Sequence, residues 1–392
     1  MAQVDEKPSL IDRLDFGIIV PVLLLAIVGM YAIWLASGAN LRAIVSQVIW
    51  YFVGFLIVAV IMQFDSEQLF KVSPYAYAAG LTLLFLVLIF HDRSLAADTG
   101  AMSWFKVGPF TFQPSEVMKP AFILMLGRLT YRHNQLYREH TVRNDSILIA
   151  KLILVMLPVA VLLKLQNDFG TMLVFFAILG GAILVSGVTW KILLPVFLTV
   201  AVIGTIAILL VSTPNGQGIL RQFNFKAYQF ERINSWLDPS GDTANNSMQL
   251  WQSMKAIGSG ELFGRGFGVR VVNVPVQTTD MVFSIIGESF GFVGVICVIL
   301  TYFYLIFNMV KVAFQTRNAF YSYVSTGVIM MILFHVFENI GMSIDLLPLT
   351  GIPLPFISAG GSALLGNMIG VGLILSMKYH HKSYIFSGKG EF

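Results

Sequence analysis

The sequence predicts an all-α polytopic membrane protein of about ten transmembrane helices, with one long structured loop between the seventh and the eighth. Two observations carry this. Hydrophobic residues make up 56% of the chain and charged residues 12%, and the mean hydropathy is +0.77; a soluble domain is about a quarter charged. Apolar runs of about 18 to 25 residues also recur, each long enough to cross a bilayer. They fall at roughly 16–36, 44–64, 74–91, 114–130, 147–164, 169–187, 190–212, 281–309, 320–344 and 359–378. Residues 1–392 read as one membrane domain, with 213–280 as a loop within it.

The first run follows a polar stretch, Met1 to Asp15, without a small-residue cleavage site, so it reads as a retained helix. A loop from Asp92 to Gln113 precedes the fourth run, which Pro114-Ser115 suits as a helix start. The loop 213–280 is too long to be idle and, with Trp236 and Trp251, too aromatic to be disordered. Within it, 246–257 predicts a short amphipathic helix in the interface, with Met248, Trp251 and Met254 or Lys255 on one face. Glycines 258, 260, 264, 266 and 268 then break regularity. In the last loop, Asp345 to Gly361, Pro348, Pro353 and Pro355 forbid a continuous helix. Such backbone is tolerated at membrane depth only beside protein or a watery cavity, so the irregular segments together predict a polar cavity at one end of the bundle.

Charge sets the expected orientation. With the amino terminus inside, the inner segments carry Lys71, Arg132, Arg138, Arg143, Lys191, Lys311, Arg317 and Lys378, while the short outer loops carry only Arg42, Arg93 and Lys106. This positive-inside pattern predicts a multi-pass cell-membrane protein with both termini cytoplasmic and 213–280 extracellular. Cys297 is the only cysteine, which excludes an intrachain disulfide. The basic residues are dispersed, so nothing points to nucleic acid, and Lys378-Tyr379-His380-His381-Lys382 reads as a membrane-surface anchor.

Polar residues inside such a chain are costly and mark functional candidates. Glu116 and Lys119 stand i,i+3 and can pair, either as a structural ion pair or as a cavity-lining pair for an anionic group. Lys164 and Asp168 stand i,i+4, with an interfacial salt bridge as the plainer reading. His335 and Glu338 have ligand-like spacing, but no second pair completes a metal site, so a hydrogen-bonded pair is expected. Asp280 opens the eighth run, and its nearest preceding cation is Arg270. A carboxylate at the edge of hydrocarbon is disfavoured as the anion, which suits a general base. An aspartate there can equally cap the helix that follows.

Four blocks of residues resemble the SEDS family (shape, elongation, division and sporulation), the group of RodA, FtsW and SpoVE. The first is Gly100-Ala101, Trp104 and Phe112-Gln113-Pro114-Ser115-Glu116-Val117-Met118-Lys119; the second is Gln166-Asn167-Asp168-Phe169-Gly170-Thr171. The third runs from Trp236-Leu237-Asp238-Pro239 through Gly258, Gly260, Gly264-Arg265-Gly266 and Thr279-Asp280 to Gly287-Glu288 and Gly291-Phe292. The fourth is Asn339-Ile340-Gly341-Met342 and Leu347 to Ser362. The sequence departs from the family pattern at Asn167, where the family usually has proline, and at Met281, Ser289 and Ala359. The loop around Asn273 looks most like RodA-type proteins of Gram-positive bacteria.

The resemblance implies the SEDS fold, which is GT-C-like, and a peptidoglycan glycosyltransferase that polymerises lipid II during cell elongation. It implies Asp280 as the base for the acceptor hydroxyl. The implied substrate-binding residues are Trp104, Glu116, Lys119, Asp168, Arg232, Lys255, Arg265, Glu288 and Ser358. Inversion at the donor sugar needs one base and a stabilised leaving group; a divalent cation, Mg2+ or Mn2+, is one means of stabilising it, and the sequence shows no metal ligand set. The implied partners are lipid II, a class B penicillin-binding protein whose single helix would meet spans eight and nine, and other elongation or division machinery. The competing readings are a lipid II flippase, an FtsW-type division role for the same chemistry, and a scaffold.

Overall fold

The computed structural model describes residues 14–108, 110–213, 216–218, 233–241 and 247–387. Its helices are α1 (Phe16–Ala36), α2 (Leu41–Ile61), α3 (Ser66–Phe90), α4 (Arg93–Thr99), α5 (Pro114–Leu136), α6 (Val142–Leu165), α7 (Phe169–Val185), α8 (Trp190–Val211), α9 (Met248–Ser259), α10 (Val282–Gln315), α11 (Ala319–Ser343) and α12 (Gly361–Ser387). A hairpin of β1 (Phe105–Val107) and β2 (Phe110–Phe112) pairs Lys106 with Thr111. Each expected apolar run lies on one long helix. Among the described residues, 8 helices are long and apolar enough to cross a membrane, and α7 is a shorter apolar helix. The remaining long helix, α5, carries Glu116, Lys119, Arg128 and Arg132.

Short polar side chains start several of these helices by accepting the backbone N–H groups that a first turn leaves free. Asp15 accepts from Gly17 N, Asp65 forms a capping box with Gln68, and Asp168 accepts from Thr171 N. Helices α11 and α12 are the most enclosed spans, whereas α8 is exposed along nearly its whole length. Exposed apolar residues such as Phe52, Phe85, Leu154, Val200 and Phe303 form the outer girdle expected of a lipid-facing surface.

Two stretches of irregular backbone are satisfied inside the bundle. The first interrupts α10 at Gly291, whose φ of 61° and ψ of −159° are not helical. The break leaves carbonyls on one side and N–H groups on the other without helical partners. The glycine-rich loop takes them up: Arg265 N and Gly266 N donate to Glu288 O and Ser289 O at 2.9 and 3.1 Å, and Phe292 N and Val293 N donate to Glu261 O and Leu262 O at 2.9 and 3.1 Å. The two backbones approach so closely that a Cβ on Gly264 would lie 2.1 Å from Ser289 O, and Gly264 also has a φ of +84°. Gly264→Ala is therefore expected to lower stability by about 2 kcal/mol or more, from the clash and the left-handed backbone together; thermal unfolding in detergent measures it, and an unchanged midpoint would contradict it.

The second irregular stretch is the proline-rich loop before α12. It is deeply buried at Ile352, Leu354, Phe356 and Ile357. Tyr51 and Tyr302 donate their hydroxyls to Phe356 O and Pro355 O, and Gly360 N donates to Gln47 Oε1 at 3.3 Å. Protein surrounds it, as bilayer physics requires of non-helical backbone at that depth.

The structure corrects the expectation for the amphipathic helix. Helix α9 buries Leu250, Ser253 and Ala256, and Ser253 Oγ donates to Ser343 O at 2.9 Å. Its inner face thus packs on the bundle, and Met248 is exposed. A tertiary partner decided the orientation, where the sequence favoured the more apolar residues.

Candidate active site

Successive long helices run in opposite directions, so the connections after α3, α6, α8 and α11 gather at one end of the bundle. There they enclose a cavity of about 850 Å³. Trp104, Glu116, Lys119, Asp168 and Asp280 all line it, together with Gln113, His335 and Gly351.

The first turn of α5 forms one wall. Pro114 occupies its first position, where a missing N–H costs nothing. Gln113 fixes the approach: its N–H donates to Ser362 Oγ at 3.0 Å and its Nε2 to Asp168 Oδ2 at 2.9 Å. One turn on, Lys119 Nζ donates to both carboxylate oxygens of Glu116 at 2.8 and 2.9 Å. Both residues are nearly inaccessible, Lys119 at 1% and Glu116 at 3% exposed. Their i,i+3 spacing predicted this pair. The third contact was not predicted: Lys119 Nζ also lies 2.9 Å from His335 Nε2.

The facing wall carries Asp280, half-buried. Its peptide is held in place by α11, because Asn339 Nδ2 donates to Asp280 O at 2.7 Å and to Ile352 O at 2.8 Å. On the preceding residues, Ser358 Oγ donates to Thr279 O at 2.6 Å and Ala359 N to Thr278 O at 2.8 Å. Gly351, with a φ of +78°, passes so near that a Cβ there would sit 3.2 Å from Asp280 Oδ2. The cap position of α10 belongs to Met281, which makes no side-chain cap.

Other sequence-derived residues lie elsewhere. Glu288 is buried and accepts from Val271 N and Val272 N at 2.7 and 2.9 Å, tying the loop to α10. Ser358 is buried behind the wall and also accepts from Leu354 N. Lys255 is exposed, its ammonium 5.2 Å from the Trp251 ring centre, and Arg265 is exposed, 4.0 Å from Glu261. Arg232 lies outside the described residues.

Two pairings expected from spacing are replaced. Lys164 is exposed, while Asp168 caps α7 and accepts from Gln113, so the two do not form a salt bridge. His335 meets Lys119 and Met331 O, while Glu338 is bonded to Thr350. In both cases contacts made by the folded chain replace the pairing that sequence spacing suggested. Among the described residues, no group of three or more His, Cys, Asp or Glu side chains is arranged to hold a metal ion. Beside the cavity loops, burial pushes the Asp345 carboxyl above its usual range, and its Oδ1 is buried without a hydrogen bond.

A family model for cell cycle proteins, that of FtsW, RodA and SpoVE, matches residues 13–383. The chain belongs to this family. The chain is 30% identical over 375 residues to the peptidoglycan glycosyltransferase MrdB of Escherichia coli (strain K12), covering 94% of this chain and 95% of that protein. It is 30% identical over 381 residues to the probable peptidoglycan glycosyltransferase FtsW of Thiomicrospira cyclica, covering 93% and 92%. Among solved structures, one chain from a peptidoglycan synthase complex that coordinates polymerization and crosslinking superposes with a TM-score of 0.76 at 27% identity, over 94% of this chain and 98% of that one. The rod shape determining protein RodA of Thermus thermophilus superposes with a TM-score of 0.66 at 26% identity, over 93% and 96%. The blocks that resemble SEDS proteins thus sit on a SEDS fold. Within this family member, Asn167 adopts a φ of +58°, which proline cannot reach and asparagine tolerates.

Proposed function

We propose that the cavity joins lipid-linked disaccharides into glycan strands by a single inverting displacement, with Asp280 as the base. The chain is a peptidoglycan glycosyltransferase of the RodA and FtsW kind and a multi-pass membrane protein. The observation that carries the mechanism is that Asp280 and the buried Lys119 line one cavity. Lipid II presents an α-linked sugar on a diphosphate, and the glycan product is β-linked. The acceptor hydroxyl attacks C1 as the bond from C1 to the diphosphate oxygen breaks. The hydroxyl proton passes to the Asp280 carboxylate, and the lipid diphosphate leaves with the bonding electron pair. General bases contribute about 10²- to 10⁴-fold. Charge grows on the diphosphate as it departs, and the Lys119 ammonium is the fixed cation beside it.

Trp104 and Asp168 flank the same space and are assigned to holding the sugars and peptide. Glu288 and Ser358 support the loops from behind. Lys255, Arg265 and Arg232 belong to the long loop and would meet the substrate's outer parts. A divalent cation arriving with the donor would neutralise the diphosphate, and Asp168 is the cavity carboxylate that would face it. The partner is a class B penicillin-binding protein, supported by the likeness to a synthase complex, and the exposed Phe303 and Phe307 of α10 are suited to its single helix.

Product linkage tests the displacement. Glycan made from lipid II by the purified chain with its transpeptidase partner should be wholly β-linked; α-linked product, or none, would overturn the reading. Orientation follows from charge: both termini cytoplasmic and the cavity facing outward. A single cysteine at Ser240, in a Cys297→Ala background, should react with an impermeant maleimide from outside intact cells. Labelling only after the cells are opened would contradict it.

A further inference from the structure

We infer that His335 is a positioning residue for Lys119, and that one face of α11 sets the buried ammonium and the Asp280 carboxylate relative to each other. This rests on the polymerase reading of the cavity. An ammonium has three N–H donors. Two go to Glu116 and the third points at His335 Nε2, 2.9 Å away. The imidazole is pinned from its other side, where Nδ1 lies 2.6 Å from Met331 O. A carbonyl oxygen only accepts, so Nδ1 carries the proton and Nε2 offers its lone pair to Lys119. His335 therefore fixes where the ammonium points, which Glu116 alone, on the same helix, does not.

The three donors differ in what can replace them. The two bonds to Glu116 pair opposite charges, whereas the bond to His335 ends on a neutral acceptor, the weaker kind. An arriving phosphoryl oxygen carries charge and would displace the imidazole first. His335 keeps that third N–H aligned in the empty cavity and yields it to the lipid diphosphate. One turn further along the same face, Asn339 holds the Asp280 peptide. Helix α11 thus touches the residue that steadies the leaving group and the residue that takes the proton. Both contacts lie on one rigid element, the arrangement that keeps reacting groups in register.

The test compares two substitutions, using the purified full chain with its transpeptidase partner and rates normalised to folded protein. His335→Phe fills the space without an acceptor. His335→Gln restores an acceptor near the position of Nε2. The expectation is that kcat/KM for lipid II falls about tenfold or more in His335→Phe, the scale of one hydrogen bond to a charged group, with most of the loss in KM, because the imidazole aligns the N–H before the diphosphate binds. His335→Gln should recover to within about threefold of wild type. If the phenylalanine variant does not fold, His335→Leu takes its place as the acceptor-free variant. Equal impairment in the glutamine and acceptor-free variants would make His335 a packing residue and overturn the inference. So would wild-type kinetics in the acceptor-free variant. In both of those cases wild-type protein still makes glycan and the polymerase reading stands; no glycan from wild type would overturn that reading and this inference together.

Discussion

Replacing Asp280 by asparagine is expected to slow glycan polymerisation by about 10²- to 10⁴-fold while leaving the chain folded and able to bind lipid II. Asparagine keeps the shape of the side chain and removes the basic oxygen. The backbone around it should not move, because Asn339, Ser358 and Ala359 grip main-chain groups of residues 278–280. Loss of a helix cap would give the opposite pattern, a stability cost of about 1 kcal/mol with activity per folded molecule retained. The cap position of α10 is Met281, so the catalytic pattern is the one expected. Initial rates normalised to folded protein, with thermal midpoints, separate the two.

Lys119→Ala is expected to lower specific activity by about 10²-fold or more, the size of one fixed donor at a developing charge. It should also reduce the yield of folded protein, because Glu116 is 3% exposed and would be left as a buried carboxylate without its cation, a loss of about 3–5 kcal/mol for such pairs. Polymerisation per folded molecule decides between roles: normal specific activity with poor yield would make the pair structural only. Glu116→Gln complements this, since it keeps an acceptor for Lys119 while removing charge. Milder loss than in Lys119→Ala is expected, because the ammonium remains in the cavity.

Much of the fold was legible because lipid imposes a length and a polarity on every span. Even α5 could be read, since Pro114 marks its start despite the charges along it. What could not be read had no length signal. Helix α4 and the hairpin at 105–112 are too short to announce themselves against an aromatic, glycine-containing loop. The break at Gly291 lies inside a continuous apolar run, and only the hydrogen bonds from residues 261–266 reveal how it is sustained.

The site was legible to the extent that its chemistry is local. Glu116 with Lys119 could be paired because they are one turn apart. His335 was visible as a polar residue in a span, yet spacing matched it with Glu338, whereas its partner is 216 residues away. Gln113 and Asn339 stood in the family blocks without a role for the same reason: each acts through a contact that only the folded chain creates. Glu288 was marked by the resemblance, as a substrate-binding residue; in the structure it is buried, and two backbone N–H groups from the long loop offset the cost of its burial.

The most direct test is the formation of glycan strands from lipid II by the purified chain and its partner in detergent, where no membrane separates two compartments. The account predicts polymer from the wild-type chain when the partner's transpeptidase is blocked, and almost none from Asp280→Asn. Polymer at the same rate from both would contradict the catalytic assignment. No polymer from the wild-type chain, with translocation of lipid II across vesicles instead, would contradict the account as a whole.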